Sequence, residues 1–219
     1  PRRRRAARPG AARLRTEGVW THNARTDVDF RNTLPNHTAQ LTGRPVVGRW
    51  GHGWTTNVDP APGVTLHTNR GAYVPSVFDV VHDHGLRTAA YVSKSKFSLY
   101  DVSYDSAHGA PDTTDADDGR DKLDVYVYEG DTRALVARLV RDAREAPAAY
   151  TFVHLRDPDS AGHWRRWSMR RGSAYLRAVQ RASARIGEIL DLVESDPRLA
   201  GHTAVIVTAD HGGTGRSHT

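Results

Sequence analysis

Two short stretches of this chain each place an acid and a histidine just beyond an apolar run. "VIVTADHG", residues 205–212, leads four apolar or β-branched residues into Asp210 and His211, and Gly212 and Gly213 follow. "DPDSAGH", residues 157–163, follows the run 149–155 with Asp159 and, four residues on, His163. In open α/β sheets, functional groups gather beyond the carboxyl ends of strands. Carboxylate oxygens and imidazole nitrogens are good ligands for zinc or a similar divalent ion. Adjacent strand residues point to opposite faces, so Asp210 and His211 share a site only where the chain turns. The two glycines permit that turn. If 157–163 coils, Asp159 and His163 converge on one point. His218, seven residues past His211, is a further candidate ligand. Taken singly, each pair reads as a turn aspartate beside a surface histidine. Their repetition at two strand ends argues for a shared centre.

A third candidate lies in "NTLPNHTAQLTG", residues 32–43. Pro35 suits the first turn of a helix, which puts Thr33 at the helix N-terminus. Free backbone N–H groups and a partial positive charge at that end suit a phosphate. The same position equally suits Thr33 or Asn32 as a plain helix cap.

These residues need a scaffold that brings strand ends together. Residues 87–93, 123–128, 149–155 and 203–209 are short, β-branched or aromatic, and bounded by polar or turn residues, so they are predicted strands. The last is apolar on both faces, as a central parallel strand should be. Helical periodicity predicts helices over 133–145 and 173–194, the second capped by Ser173, and a third over 75–84 ended by Gly85. Alternating strands and helices predict an α/β fold with a mostly parallel central sheet flanked by helices. Residues 101–122 are polar and acid-rich and read as a long loop. With Gly119 as the turn glycine, Thr114 and Ala116 fall on the first two ligand positions, so an EF-hand calcium loop is excluded.

Bulk properties agree with one domain. The chain has 219 residues, 38% hydrophobic and 26% charged, which suffices for a sizeable core. No apolar run is long enough to cross a membrane as a helix. The absence of cysteine excludes disulfides and thiolate metal sites. The net charge is +6, and lysine occurs only at 94, 96 and 122. Part of the excess is the "RRRR" run at 2–5, so residues 1–12 are expected to be a basic, poorly ordered end before a catalytic domain over 13–219. No recognition motif accompanies the arginines, so no nucleic-acid module is expected.

The motifs also stand in a telling order: "TLPNHTAQLTG" at 33–43, "HGWTTN" at 52–57, "PDSAGH" at 158–163 and "TADHGG" at 208–213. Together they resemble the nucleotide pyrophosphatase/phosphodiesterase family, the type I phosphodiesterases of the alkaline phosphatase superfamily. That family shows T-[FLM]-P-N-H, H-G-x-x-x-N, P-D-x-x-G-H and D-H-G. The resemblance runs from about residue 13 to the end, and "EGVWTHNART" and "APDTTDADDGRDK" look like a bacterial branch. It implies an alkaline phosphatase-like fold, two divalent metal ions, usually zinc, and a small phosphate-ester or nucleotide substrate. It further implies Thr33 as a nucleophile that forms a covalent intermediate with phosphorus. Asn57 matches an amide that binds a phosphoryl oxygen. Asp210 and His211 match ligands of the metal beside the nucleophile. Asp159, His163 and a late histidine, placed at His218, match ligands of the other metal.

One family feature has no counterpart. The family carries a metal-ligand Asp at the end of a first strand closing in Asp-Gly. Asp27 and Asp29, in "RTDVDF", lack that context. The expectation is therefore a partial domain, cut at both ends, from a parent that is exported as many relatives are. Three alternatives accompany it: a phosphonate hydrolase, a phosphomonoesterase, or an inactive fragment.

Overall fold

A computed structural model describes residues 9–219. Residues 1–8 of the basic end lie outside the described residues. Residues 10–12 are already the first turn of helix α1 (Gly10–Glu17), which packs on a long late helix, α8 (Ala174–Ser195). Gly10 lies so close to α8 that a Cβ there would stand 2.6 Å from the Gly187 nitrogen. Ala11 N–H donates to Ser183 Oγ, and the buried Arg13 guanidinium is held by Asp191 and Glu194.

Three parallel strands form the sheet in the order β2–β1–β3: β1 (Thr88–Val92), β2 (Val125–Tyr128) and β3 (Tyr150–Val153). Every residue of the central β1 is buried. Its alternating side chains serve two cores, as the strand period requires. Ala89 and Tyr91 pack with Leu135 and Leu139 of α6 (Thr132–Glu145) and Leu192 of α8. Ala90 and Val92 face the other core, with Leu34 and Leu41 of α2 (Thr33–Thr42), Leu66 of α3 (Leu66–Arg70), Phe78 of α4 (Val77–His82) and Leu99 of α5 (Ser98–Ser103). The result is the expected α/β architecture, a parallel sheet with helices on both faces, as in the alkaline phosphatase-like fold. Helix α7 (Asp157–Arg165) follows β3 and packs against α8.

The predicted helices are present. Ser173 caps α8 by accepting from Leu176 N–H, and Asp131 caps α6 through Arg133 and Ala134 N–H. Helix α4 ends just before Gly85, which sits at φ +63°. Two expectations need correction. Residues 101–103 belong to α5, so the acid-rich loop starts at Tyr104. Residues 203–209, predicted to be the central strand, pair with no strand, and Ile206 is 88% exposed. A both-face apolar pattern is a side-chain signal and does not fix which backbone a segment pairs with. Among the described residues β1 takes the central place, and its two edges are filled by β2 and β3.

The acid-rich loop is fastened by charge. Lys122 is fully buried, and its ammonium meets Asp112, Asp83 Oδ1 at 3.2 Å and the Gly119 carbonyl at 3.2 Å. His82 Nδ1 lies 3.0 Å from Asp112, and His84 pairs with Asp115. Lys122→Met would strand Asp112 and Asp83 without their cation. It is expected to cost about 3 kcal/mol of stability, seen as a lower thermal unfolding midpoint. An unchanged midpoint would show that the loop is not held this way.

Candidate metal centre

Three chain segments meet at the carboxyl edge of the sheet. Beyond β1 comes Lys94; beyond β3 comes α7 with Asp159 and His163; the unpaired segment 203–209 leads to Asp210 and His211. Residues 157–163 do coil, so Asp159 and His163 lie one helical turn apart, with Asp159 Oδ1 and His163 Nε2 3.3 Å from each other. The chain bends at Asp210, and Asp210 Oδ2 and His211 Nε2 come within 3.2 Å. His218 arrives by a tight hairpin. Strand β4 (Gly213–Thr214) pairs antiparallel with β5 (Ser217–His218) around Gly215 at φ +58°. The His218 ring thereby stacks on His211 at 3.6 Å between centroids.

Thr33 is the first residue of α2 and is buried. The cap residue Asn32 makes no side-chain cap bond, so the plain capping reading does not describe this helix end. Thr33 Oγ1 lies 3.4 Å from His211 Nε2 and 3.3 Å from Lys94 Nζ. Asn57 also reaches the helix end: its Oδ1 accepts from Leu34 N–H at 3.0 Å. That bond commits the amide oxygen and leaves the NH2 group as the free donor.

The imidazoles show a common orientation. Nδ1 of His163 contacts the Arg216 carbonyl at 2.9 Å, and Nδ1 of His211 contacts the Gly212 carbonyl at 3.0 Å. Nδ1 of His218 contacts Asn32 Oδ1 at 3.2 Å. A carbonyl only accepts, so each Nδ1 donates and each ring turns its Nε2 inward. Fixing the far nitrogen in this way is how metal-ligating histidines are held.

What those nitrogens face decides the fit. Asp159 Oδ1 is buried and accepts no hydrogen bond, yet it lies 3.3, 3.6 and 3.3 Å from Nε2 of His163, His211 and His218. His163 Nε2 and His218 Nε2 stand 2.8 Å apart. A divalent cation among these atoms would be met by one carboxylate oxygen and the facing imidazole nitrogens. Asp159, His211 and His218 place their donor atoms within 4.8 Å of one another. A donor set of imidazole nitrogen and carboxylate oxygen suits zinc or a related divalent ion. The residues therefore fit a metal centre. His211 joins the two expected ligand sets, since its Nε2 lies near Thr33, Asp210 and Asp159 alike.

Electrostatics around the cluster are mixed. Burial alone would raise the Asp159 carboxyl, but the Lys94 charge and hydrogen bond, with His163 and His211, outweigh it and hold the pKa below the usual range. Burial, then His211, push His218 down. Buried His37 presents Nε2 3.5 Å from Asp210 Oδ2, and burial lowers its pKa. This agrees with a supporting place for His37 behind the ligand. His52 is fully buried and accepts from Trp54 N–H, shaping the "HGWTTN" loop. Asp27 is spent on its own turn, accepting from Asp29 and Phe30 N–H.

Several participants were not expected from the sequence. Lys94, Lys96, Asn32 and Thr26 each touch a site residue: Lys96 Nζ donates to the Asn57 carbonyl, and Thr26 Oγ1 donates to the Asp210 carbonyl. His154, buried at the end of β3, bonds Ser93 and meets the His37 ring. The two lysines had a usable signal, since they directly follow a predicted strand in a chain with only one other lysine. The basic-aromatic stretch after His163 has a structural part. Trp167 meets the His163 and His218 rings, and a Cβ on Gly162 or Gly213 would collide with its indole.

An α/β sheet carries a histidine–carboxylate cluster beside a helix-borne hydroxyl, an arrangement compatible with a phosphoester hydrolase. The family model described as type I phosphodiesterase / nucleotide pyrophosphatase matches residues 2–218, and the chain belongs to that family. The family acts on small phosphate esters or nucleotides. A comparison with curated proteins finds no match.

Burial shifts the His52 pKa from its ordinary 6.5 down to about 4, and burial depresses His154 and His37 in the same direction. Above pH 6.5 both folded and unfolded forms of His52 are neutral; between 6.5 and about 4 only the unfolded form takes up the proton. Stability is therefore full above the upper value and is lost as pH falls towards the lower one. Thermal melts across this window are expected to show a falling midpoint, with a shallower fall for His52→Gln. Equal slopes for both proteins would refute the assignment to His52.

Proposed function

We propose that this chain hydrolyses phosphodiester or nucleotide pyrophosphate bonds, with Thr33 as nucleophile and divalent metal ions, zinc by donor type, held by Asp159, His163, Asp210, His211 and His218. The observation that carries this reading is the convergence of three inward imidazole nitrogens and the unpartnered Asp159 oxygen next to the Thr33 hydroxyl.

Thr33 Oγ1 is the attacking atom. Its proton passes to water, the Oγ1–P bond forms, and the bond from phosphorus to the leaving oxygen breaks. The leaving oxygen takes a proton from water. A second water then cleaves the Oγ1–P bond and restores the hydroxyl. Bound divalent ions would supply Lewis-acid polarisation, which lowers the pKa of a ligated hydroxyl and stabilises charge on the phosphoryl oxygens. Asn57 contributes a neutral donor: with Oδ1 engaged by Leu34 N–H, its NH2 group is left for a non-bridging oxygen. The α2 N-terminus adds its partial positive charge on the same side.

Turnover of bis-p-nitrophenyl phosphate with added zinc tests the reading. Thr33→Ala is expected to lower kcat by about a thousandfold or more, Thr33→Ser to retain part of it, and Asp210→Asn to lose most of it. Chelation should abolish turnover, and His218→Ala should lower the bound zinc measured by elemental analysis. Turnover that survives both Thr33→Ala and Asp210→Asn would sink the mechanism.

A further inference from the structure

The connection between α7 and α8 carries arginines that the described residues leave unpaired. Residues 160–187 hold seven arginines and no acid. Arg177 is spent on the Gly172 carbonyl, Arg181 on Asp157 and Arg185 on Glu188. Arg165, Arg166, Arg170 and Arg171 are exposed, and among the described residues none of their guanidinium groups has an ion-pair or hydrogen-bond partner. The connection is nevertheless fastened to the metal centre. Trp167 lies in its middle, with ring centroids 4.9 Å from His163 and 6.3 Å from His218. Arg166, just before it, holds φ +68° and ψ 154°, and among the described residues it alone has a positive φ without being glycine. That backbone state is unfavourable for a residue with a side chain and persists only where its surroundings impose it. Here it ends α7 and lays the indole against the candidate ligands. Arg165 and Arg166 are thereby held at the rim of the site.

We infer that Arg165 and Arg166 bind the second phosphate of a pyrophosphate-linked substrate, so that the site prefers such a linkage to a single diester. The inference rests on the phosphoester reading of this same site and chooses within it. Each phosphorus of a pyrophosphate diester carries one negative charge. When Thr33 Oγ1 bonds to the reacting phosphorus, the bond from that phosphorus to the bridging oxygen breaks, and the oxygen leaves with the electron pair on the second phosphate. That phosphate then carries two charges. A guanidinium fork matches phosphoryl oxygens in pairs and keeps its charge at any working pH. A simple diester offers the rim no second anion. Arginines that only solvate this surface would treat the two linkages alike.

The test compares two ligands with the same two nucleosides, bis(5′-adenosyl) diphosphate and bis(5′-adenosyl) phosphate. Isothermal titration is run on the zinc-loaded Thr33→Ala chain, so that neither is consumed, at about 0.15 M salt, where long-range attraction is screened. The diphosphate is expected to bind about fivefold or more tightly than the monophosphate, as charge-assisted bonds to one further phosphate allow. Adding Arg165→Gln with Arg166→Gln should remove that preference while changing monophosphate affinity by less than about twofold. Lysine at both positions should retain part of it. Arg170→Gln with Arg171→Gln removes the same charge farther from Trp167 and should leave most of the preference. Equal affinity for the two ligands, equal losses for both, or an equal effect of the two arginine pairs overturns the inference. Turnover of bis-p-nitrophenyl phosphate by the chain with Thr33 intact is read in parallel. Selective diphosphate binding without that turnover would remove the hydrolase reading and leave the arginine subsite. Turnover without diphosphate selection would do the reverse.

Discussion

The arrangement turns on the carboxylate of Asp159. One of its oxygens is held by Lys94 at 2.7 Å, while the other is buried, receives no hydrogen bond and faces three imidazole nitrogens. A buried carboxylate oxygen without a donor is costly. A divalent cation shared among these groups would answer that carboxylate, and the imidazole and carboxylate donors suit one. The Nδ1 bonds of His163, His211 and His218 hold the three rings so that each Nε2 faces this carboxylate.

The fold produces this meeting at the end of a small sheet. Central β1, buried on both faces, ends one residue before Ser93, and Ser93 Oγ bonds both His154 of the β3 end and the Arg156 N–H that opens α7. The two strand ends are thus tied together directly beneath Lys94 and Asp159. The third contribution comes from outside the sheet. Thr26 holds the Asp210 carbonyl, and the hairpin at 213–218 returns His218 to His211. Trp167 closes the outer side against Gly162 and Gly213, where only glycine leaves room for the indole. The glycines that close two of the motifs therefore have a packing role as well as a conformational one.

Much of this was legible in the sequence, and the unread parts share a cause. Asp159 with His163, and Asp210 with His211, are separated by local spacings, and local geometry brought each pair together as expected. Helices α6 and α8 followed from their apolar stripes, and the Ser173 cap from its residue type. Residues 203–209 show the opposite case. Their apolarity is a side-chain property, but strand pairing depends on which backbone edge is free, and no periodicity records that. The Lys94–Asp159 pair spans 65 residues and joins two strand ends. It was invisible for the same reason, as were the Asn32–His218 and Thr26–Asp210 bonds. The ordered motifs named the candidate residues without showing how His211 would link the two expected ligand sets.

The sparing use of lysine sharpens the electrostatic picture. The basic excess of this chain is carried almost wholly by arginine, yet each of its three lysines lies in a polar cluster with carboxylates at hand. Guanidinium is planar and weakly hydrated, and here it serves both the buried Arg13 with Asp191 and Glu194 and surface pairs such as Arg138 with Asp142. An ammonium can instead sit inside a tight oxygen-rich pocket as a point charge. Lys122 does this for the acid-rich loop, where the carboxylates outnumber it and the charge is locally consumed. At the candidate metal centre two lysines stand beside two carboxylates, Asp159 and Asp210. Lys94 is matched by Asp159, but Lys96 leans on a carbonyl, and the charge of any bound ion adds to both.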